Sequence, residues 1–228
     1  MQTPIQPHWK RILAIACCSV AFAAPQSWAV LVTWNLNPTG ANAPVGSSTK
    51  DYTVSGYTIT ARGFDNVSGT DTPHDLYFKN LGVSERGLGL VGTPNNELQV
   101  DSRGNPLQYI QLDLRSILAQ GFTNGQISVG SVQSSESFFL YGSNTLGELG
   151  TKLSTTAFGS TFDETFVDVP SFGSWQFISV TAGAADVLPV AFRASISPIP
   201  EAANVLPLAG LVVAATAFEI RRRRRAAA

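Results

Sequence analysis

Cysteine is almost absent from this 228-residue chain: Cys17 and Cys18 are the only two, adjacent and close to the N-terminus. If the segment carrying them is removed, no disulfide framework or cysteine-based metal site can be built. Histidine is as scarce, and His74, in Asp71-Thr72-Pro73-His74-Asp75, is the only one beyond residue 8. A Ser-His-Asp arrangement would have to use it, and no Gly-x-Ser-x-Gly elbow accompanies it. His74 therefore reads as a solvated loop residue. No period recurs along the chain, which argues against a solenoid or propeller. Helical patterning is confined to Leu114–Gln120, with Gly121 as its C-terminal stop.

What is present is the layout of an exported protein. Lys10-Arg11 forms a small positive region, Ile12–Ala24 is apolar, and Ser27-Trp28-Ala29 places small residues at −3 and −1 of a cleavage site. Residues 1–29 read as a secretory signal peptide, cut by signal peptidase between Ala29 and Val30. The apolar run before Cys17 is too short for a lipoprotein signal. At the other end, Pro198-Ile199-Pro200-Glu201-Ala202-Ala203-Asn204 precedes an apolar run from Val205 to Phe218, then Arg221, Arg222, Arg223, Arg224 and Arg225. Fourteen residues make a helix of roughly 21 Å, short of a ~30 Å hydrocarbon core. Extension from Ala202 to Ile220 gives a marginal span, with Glu219 near the headgroups beside arginines that can pair with it. The expected transmembrane helix covers 205–220. The arginine block should stay cytoplasmic as the topology determinant, leaving everything before Pro198 outside. An apolar run abutting that block does not suit a nucleic-acid-binding tail.

This tail resembles the PEP-CTERM sorting signal of bacterial surface proteins, through Pro200 and Glu201, the apolar span and the arginine block. At the third motif position, where that family usually has a second proline, this chain has Ala202. The resemblance implies processing by an exosortase, a membrane protease-transpeptidase, after transient anchoring in the inner membrane. It further implies a final place at the cell surface or in an extracellular polysaccharide or biofilm matrix. Leu206-Pro207-Leu208-Ala209-Gly210 looks like a degenerate sortase motif, but too few apolar residues follow it.

Between the two signals lies one expected domain, 30–197. Lys10, Arg11 and the tail arginines account for 7 of the 15 basic residues, and Glu201 and Glu219 for 2 of the 16 acids, leaving 8 against 14. A net charge near −6 argues against nucleic acid or anionic lipid as a partner. Apolar and β-branched stretches recur at Val30–Leu36, Tyr52–Ala61, Leu76–Asn80, Glu97–Val100, Gln108–Leu114, Gln126–Val132, Ser137–Tyr141, Thr165–Val169, Trp175–Thr181 and Val187–Ile196. Asn37-Pro38-Thr39-Gly40, Thr93-Pro94-Asn95-Asn96, Asp101–Pro106 and Thr123-Asn124-Gly125 read as turns. Ile110, Leu112 and Leu114 share one face, as should Leu188, Val190, Phe192, Ala194 and Ile196. A bulge is expected near Gly130, and Pro189 must sit at an edge or bulge. The fold class is all-β, an antiparallel two-sheet sandwich of jelly-roll or immunoglobulin-like type. Glu85–Leu90, Asn96–Leu98, Phe139–Ser143 and Phe177–Ala182 look loosely like the β-sandwich part of proteins with this tail.

Candidate chemistry in the domain is thin. Glu85, Glu97, Asp113 and Glu136 could supply the paired carboxylates of a glycosidase, but fourteen acids give such pairs by chance, so a secreted hydrolase ranks last and no enzyme is expected. Asp65, Asp71 and Asp75, and Asp163-Glu164 with Asp168, form acidic loops that suit weakly bound calcium at most, because Asp-x-Asx-x-Asx-Gly spacing is absent. No other cofactor is expected. The main expectation is a non-catalytic structural or interaction protein associated with exopolysaccharide. The alternative is a carbohydrate-binding module using Phe64, Tyr77, Tyr109, Tyr141 or Trp175; Trp34 and Trp175 are expected to be buried anchors instead.

Overall fold

The computed structural model describes residues 29–196, apart from 68–69, 83–84, 101–104 and 106. The signal peptide before Ala29, the motif at 198–204, the apolar segment 205–220 and the arginine block lie outside the described residues. The strands are β1 (Val30–Asn35), β2 (Ala43–Pro44), β3 (Thr49–Val54), β4 (Tyr57–Val67), β5 (Thr70–Pro73), β6 (Leu76–Asn80) and β7 (Arg86–Leu90), then β8 (Gln108–Asp113). After the short helix α1 (Arg115–Ala119) come β9 (Phe122–Gly130), β10 (Ser137–Ser143), β11 (Thr151–Lys152), β12 (Phe166–Asp168), β13 (Phe177–Ala184) and β14 (Leu188–Ile196). The fold is all-β. Among the described residues no helix is long and apolar enough to cross a membrane.

The strands form three antiparallel sheets: β1-β14-β9-β12, β11-β10-β13-β8-β4-β3 with β5 on β4, and β2-β6-β7. All three supply one buried apolar cluster, including Trp34, Phe122 and Phe192 from the first, Ile59, Ile110 and Leu112 from the second, and Phe78, Leu88 and Leu90 from the third. Trp34 is 0 % exposed, with ring centroids 6.0 Å from Phe122 and 5.8 Å from Phe192. Its indole N–H donates to the Tyr57 carbonyl (3.0 Å), and Tyr52 Oη donates to the Leu36 carbonyl (2.7 Å). These two bonds tie β3 and β4 to β1 across the core.

Several expectations need correction. The stretch Tyr52–Ala61 is a hairpin, because Ser55 (φ 52°) and Gly56 (φ 82°) make a two-residue turn between Val54 and Tyr57. Positive φ at both positions is what a type I′ hairpin requires. Thr123-Asn124-Gly125 is not a turn but lies within β9; a Cβ at Gly125 would sit 2.3 Å from the Phe172 ring, so glycine serves close packing there. Glu97–Val100 forms isolated bridges rather than a strand, with Leu98 paired to Val187. The Gln99 N–H donates to Gln108 Oε1 (3.1 Å) and its carbonyl accepts from Leu107 N (3.0 Å), so the pairing with Val187 goes no further. The strand β7 falls outside the expected set.

The bulge lies not in β9 at Gly130 but in the partner strand β14, where Val190 is the extra residue between the Pro189–Val129 and Ala191–Ser128 pairs. Pro189 therefore sits at a bulge of an interior strand, as its missing N–H demands. The slip also breaks the expected common face: Phe192 and Ala194 belong to the core cluster with Val187, whereas Leu188 packs against β7. The Arg115–Ala119 helix ends as expected, at Gly121 with φ 86°.

Trp34→Ala should destabilise the domain by about 3–5 kcal/mol, because it removes a fully buried ring and leaves the Tyr57 carbonyl without its donor. Urea denaturation of the two proteins checks this.

Candidate functional site

The most unusual chemistry in the domain is a lysine with almost no access to water. Lys79 is 3 % and Glu97 2 % exposed, and Lys79 Nζ is in direct contact with Glu97 Oε1. The second oxygen of Glu97 accepts from Ser131 Oγ at 3.1 Å. Glu85, with 35 % of its side chain exposed, places Oε2 3.1 Å from the same Nζ. Asn37 Nδ2 donates to the Lys79 carbonyl (2.8 Å), fixing the end of β6.

The local sequence explains how the pair is enclosed. In Gly87-Leu88-Gly89-Leu90 the leucines enter the core, and the glycines occupy the other face of β7, opposite Lys79 and Tyr77. A Cβ on Gly87 would lie 2.6 Å from the Pro189 carbonyl oxygen, and one on Gly89 only 1.8 Å from that of Asn96. Bare backbone here lets β14 and the Thr93–Glu97 turn close over Lys79. That turn is itself tightly wound, with Asn95 (φ 57°) and Asn96 (φ 56°) both left-handed. Ser131, at the end of β9, has φ 58°.

Burial works to lower the Lys79 pKa, but hydrogen bonds and charge from Glu97 and Glu85 outweigh it and hold the ammonium above the usual lysine range. Burial pushes the Glu97 carboxyl up; Lys79 and Ser131 offset part of the rise, and Asp186 adds to it. Burial also raises Glu136, whose Oε2 accepts from Gln133 N (2.5 Å), and the charges of Asp186, Asp163 and Glu85 push in the same direction.

Sequence reasoning named Glu85 and Glu97 and missed the lysine between them; its signal is a lysine in the apolar strand Leu76-Tyr77-Phe78-Lys79. Of the other candidate carboxylates, Glu136 is near enough for the Glu85 charge to act on it, whereas Asp113 is engaged separately. Asp113 takes a bidentate contact from Arg115 (3.0 and 2.7 Å). The three aspartates proposed for calcium are not brought together. Asp71 pairs with Asn66 rather than Asp65, so antiparallel pairing points the two aspartates to opposite faces of the β4–β5 hairpin. Asp65 instead meets His74 Nδ1 (2.8 Å), whose Nε2 donates to the Val91 carbonyl (2.6 Å). His74 is thus a bonded, half-buried residue rather than a solvated one. Among the described residues no group of three or more His, Cys, Asp or Glu is placed to hold a metal ion.

The proposed sugar-stacking aromatics are all at least partly covered. Tyr109 stacks on Phe64 (5.1 Å) and donates to the Gly147 carbonyl (2.7 Å), under a loop also held by Gln111. Tyr77, Tyr141 and Trp175 are half-buried. Trp175 is therefore less buried than expected: it rests on Gly142, and its indole nitrogen has no partner among the described residues. The outer face of β1-β14-β9-β12 carries two open clefts, of ≈ 700 and ≈ 650 Å³. Between them Arg193 lies 4.0 Å from the Phe166 ring centroid, donates to Gln126 Oε1 (2.5 Å), and Gln126 donates to Asp168 (2.6 Å).

No family model matches the chain, and comparison with curated proteins and with solved structures found no match.

Lys79→Met or Glu97→Leu alone should each cost about 3–5 kcal/mol by stranding a buried charge, whereas the double replacement should regain part of that loss; chemical denaturation of the four proteins measures the difference. Glu136 gives a pH signature. Its folded carboxyl titrates above the ordinary 4.5, so its contribution is most favourable below that pH and is lost as pH rises through the folded value. Glu136→Gln should therefore show a shallower fall in Tm than the wild type as pH is raised from 4.5.

Proposed function

We propose that this chain is an exported bacterial surface or matrix protein, sorted by its C-terminal tail and carrying a non-catalytic interaction domain associated with exopolysaccharide. The observation that carries this reading is the order of elements at the C-terminus: Pro200-Glu201, the apolar run to Phe218, and five arginines. Signal peptidase frees Val30, the tail holds the product in the inner membrane, and an exosortase-like transpeptidase acts at Pro200, Glu201 and Ala202. The domain between is proposed to be a β-sandwich of jelly-roll or immunoglobulin-like type. Support comes from the shared core and from the Trp34 and Tyr52 bonds that join the four-stranded to the seven-stranded sheet.

Glu201→Ala, expressed in the native host, should abolish tail processing while leaving the domain folded. Intact mass of envelope and medium fractions decides: the wild type should begin near Val30 and end near Pro200, with any added mass reporting the attached group. A wild-type species still carrying Arg221–Arg225 would make the tail a plain membrane anchor.

Carbohydrate binding is a second reading, favoured by one specific feature. The Arg193–Gln126–Asp168 row presents ordered donors and acceptors on an open sheet face, which suits a hydroxyl-rich chain better than the covered aromatics do. A charge-assisted hydrogen bond contributes about 1.5–3 kcal/mol, so Arg193→Ala should weaken binding to the host's purified exopolysaccharide by about tenfold or more. Equal retention of variant and wild type in a sedimentation assay would remove this reading.

A further inference from the structure

The buried Lys79–Glu97 contact holds an amine against a carboxyl group, and such a pair has a second, covalent state. We propose that Lys79 and Glu97 condense to an intramolecular amide joining Nζ to Cδ, which staples the end of β6 to the turn after β7. This rests on the geometry of the site and not on the sorting reading above.

Three features support the reaction. First, enclosure favours the product. Two buried charges carry a desolvation cost that a neutral amide does not, and the water formed leaves a site that already excludes solvent. Second, the groups are held in place by the fold. Well-oriented intramolecular partners reach effective concentrations of about 10⁵–10⁸ M, and Lys79 and Glu97 are fixed by a strand and by a glycine-dependent closure. Third, the flanking groups suit the proton traffic. Glu85 Oε2 lies 3.1 Å from Nζ and is open enough to exchange with solvent, while Ser131 Oγ donates to the Glu97 oxygen that does not touch Lys79.

The steps balance. A proton passes from Nζ to Glu97 Oε1, giving a neutral amine and a neutral acid. The Nζ lone pair attacks Cδ; the C–N bond forms, and the negative charge falls on Oε2, where Ser131 O–H stabilises it. Glu85 takes a proton from the nitrogen and returns it to the Oε1 hydroxyl, which departs as water as the Oε2 carbonyl re-forms. Glu85 ends as it began, and no oxidant or cofactor enters.

The test is a tryptic digest of the denatured full-length protein, since denaturation breaks an ion pair and leaves an amide intact. Arg62, Arg86 and Arg103 bound two peptides, Gly63–Arg86 with Lys79 and Gly87–Arg103 with Glu97. The amide blocks cleavage after Lys79 and yields one branched species, lighter than the sum of the two peptides by one water. Recovery of Gly63–Lys79, Asn80–Arg86 and Gly87–Arg103 in full from folded wild type overturns the proposal. Lys79→Arg keeps the charge without a competent nucleophile and should give no branched species; its persistence there would also overturn the assignment. Glu85→Gln, a change at a partly exposed position, should slow formation by about a hundredfold, the usual scale for loss of a general acid–base. Formation at the wild-type rate in that variant would remove Glu85 from the mechanism.

Discussion

A lysine cannot be taken out of water alone, and much of one end of this domain follows from the way Lys79 is accommodated. Its charge is met by Glu97 from a separate turn and by Glu85 from the far side of the β6–β7 connection. Glu97 is in turn held by Ser131 at the end of β9. Elements from two sheets thus converge on one ammonium group. They can do so only because β7 presents glycine rather than a side chain at positions 87 and 89. Ion-pair chemistry and glycine packing are therefore one constraint: a side chain at either glycine would push away the backbone that seals the pair.

The remainder of the domain is governed by aromatic packing. Trp34, Phe122, Phe192 and Phe172 form a chain of ring contacts through the core, and Tyr57 joins it edge-on to Phe122 at 4.9 Å. Because Trp34 and Tyr52 also spend their polar atoms on carbonyls of neighbouring strands, they fix the position of the sheets as well as fill the space between them. A second polar anchor lies on the other face of β8, where buried Gln111 bonds to the backbone at Gly147 and Glu148 and seats a loop.

Sequence reasoning recovered the all-β class and most strands, because alternation survives wherever one face meets the core, as in Ile110-Gln111-Leu112. It failed where glycine has two meanings. Asn124-Gly125 resembles a turn and is a strand, because Phe172 occupies the space a side chain would take; Ser55-Gly56 sits inside a strand-like run and is the turn. Period-two counting also failed past Val190, since one bulged residue reverses the faces on either side. The lysine–carboxylate site was half legible. Its acids were visible as acids, but their convergence on Lys79 depends on closures between residues as far apart as 79 and 131, which no local pattern encodes. Opposite faces of the β4–β5 hairpin likewise separate aspartates that look clustered in the sequence.

The first and last strands of the domain, β1 and β14, are antiparallel neighbours, with Val30 paired to Ile196 and Asn35 to Ala191. The two ends of the described domain therefore lie side by side, and a load applied between them would fall on the Val30–Ile196 pair first. The ladder would then open rung by rung, as a zipper does, instead of resisting in shear across all six pairs.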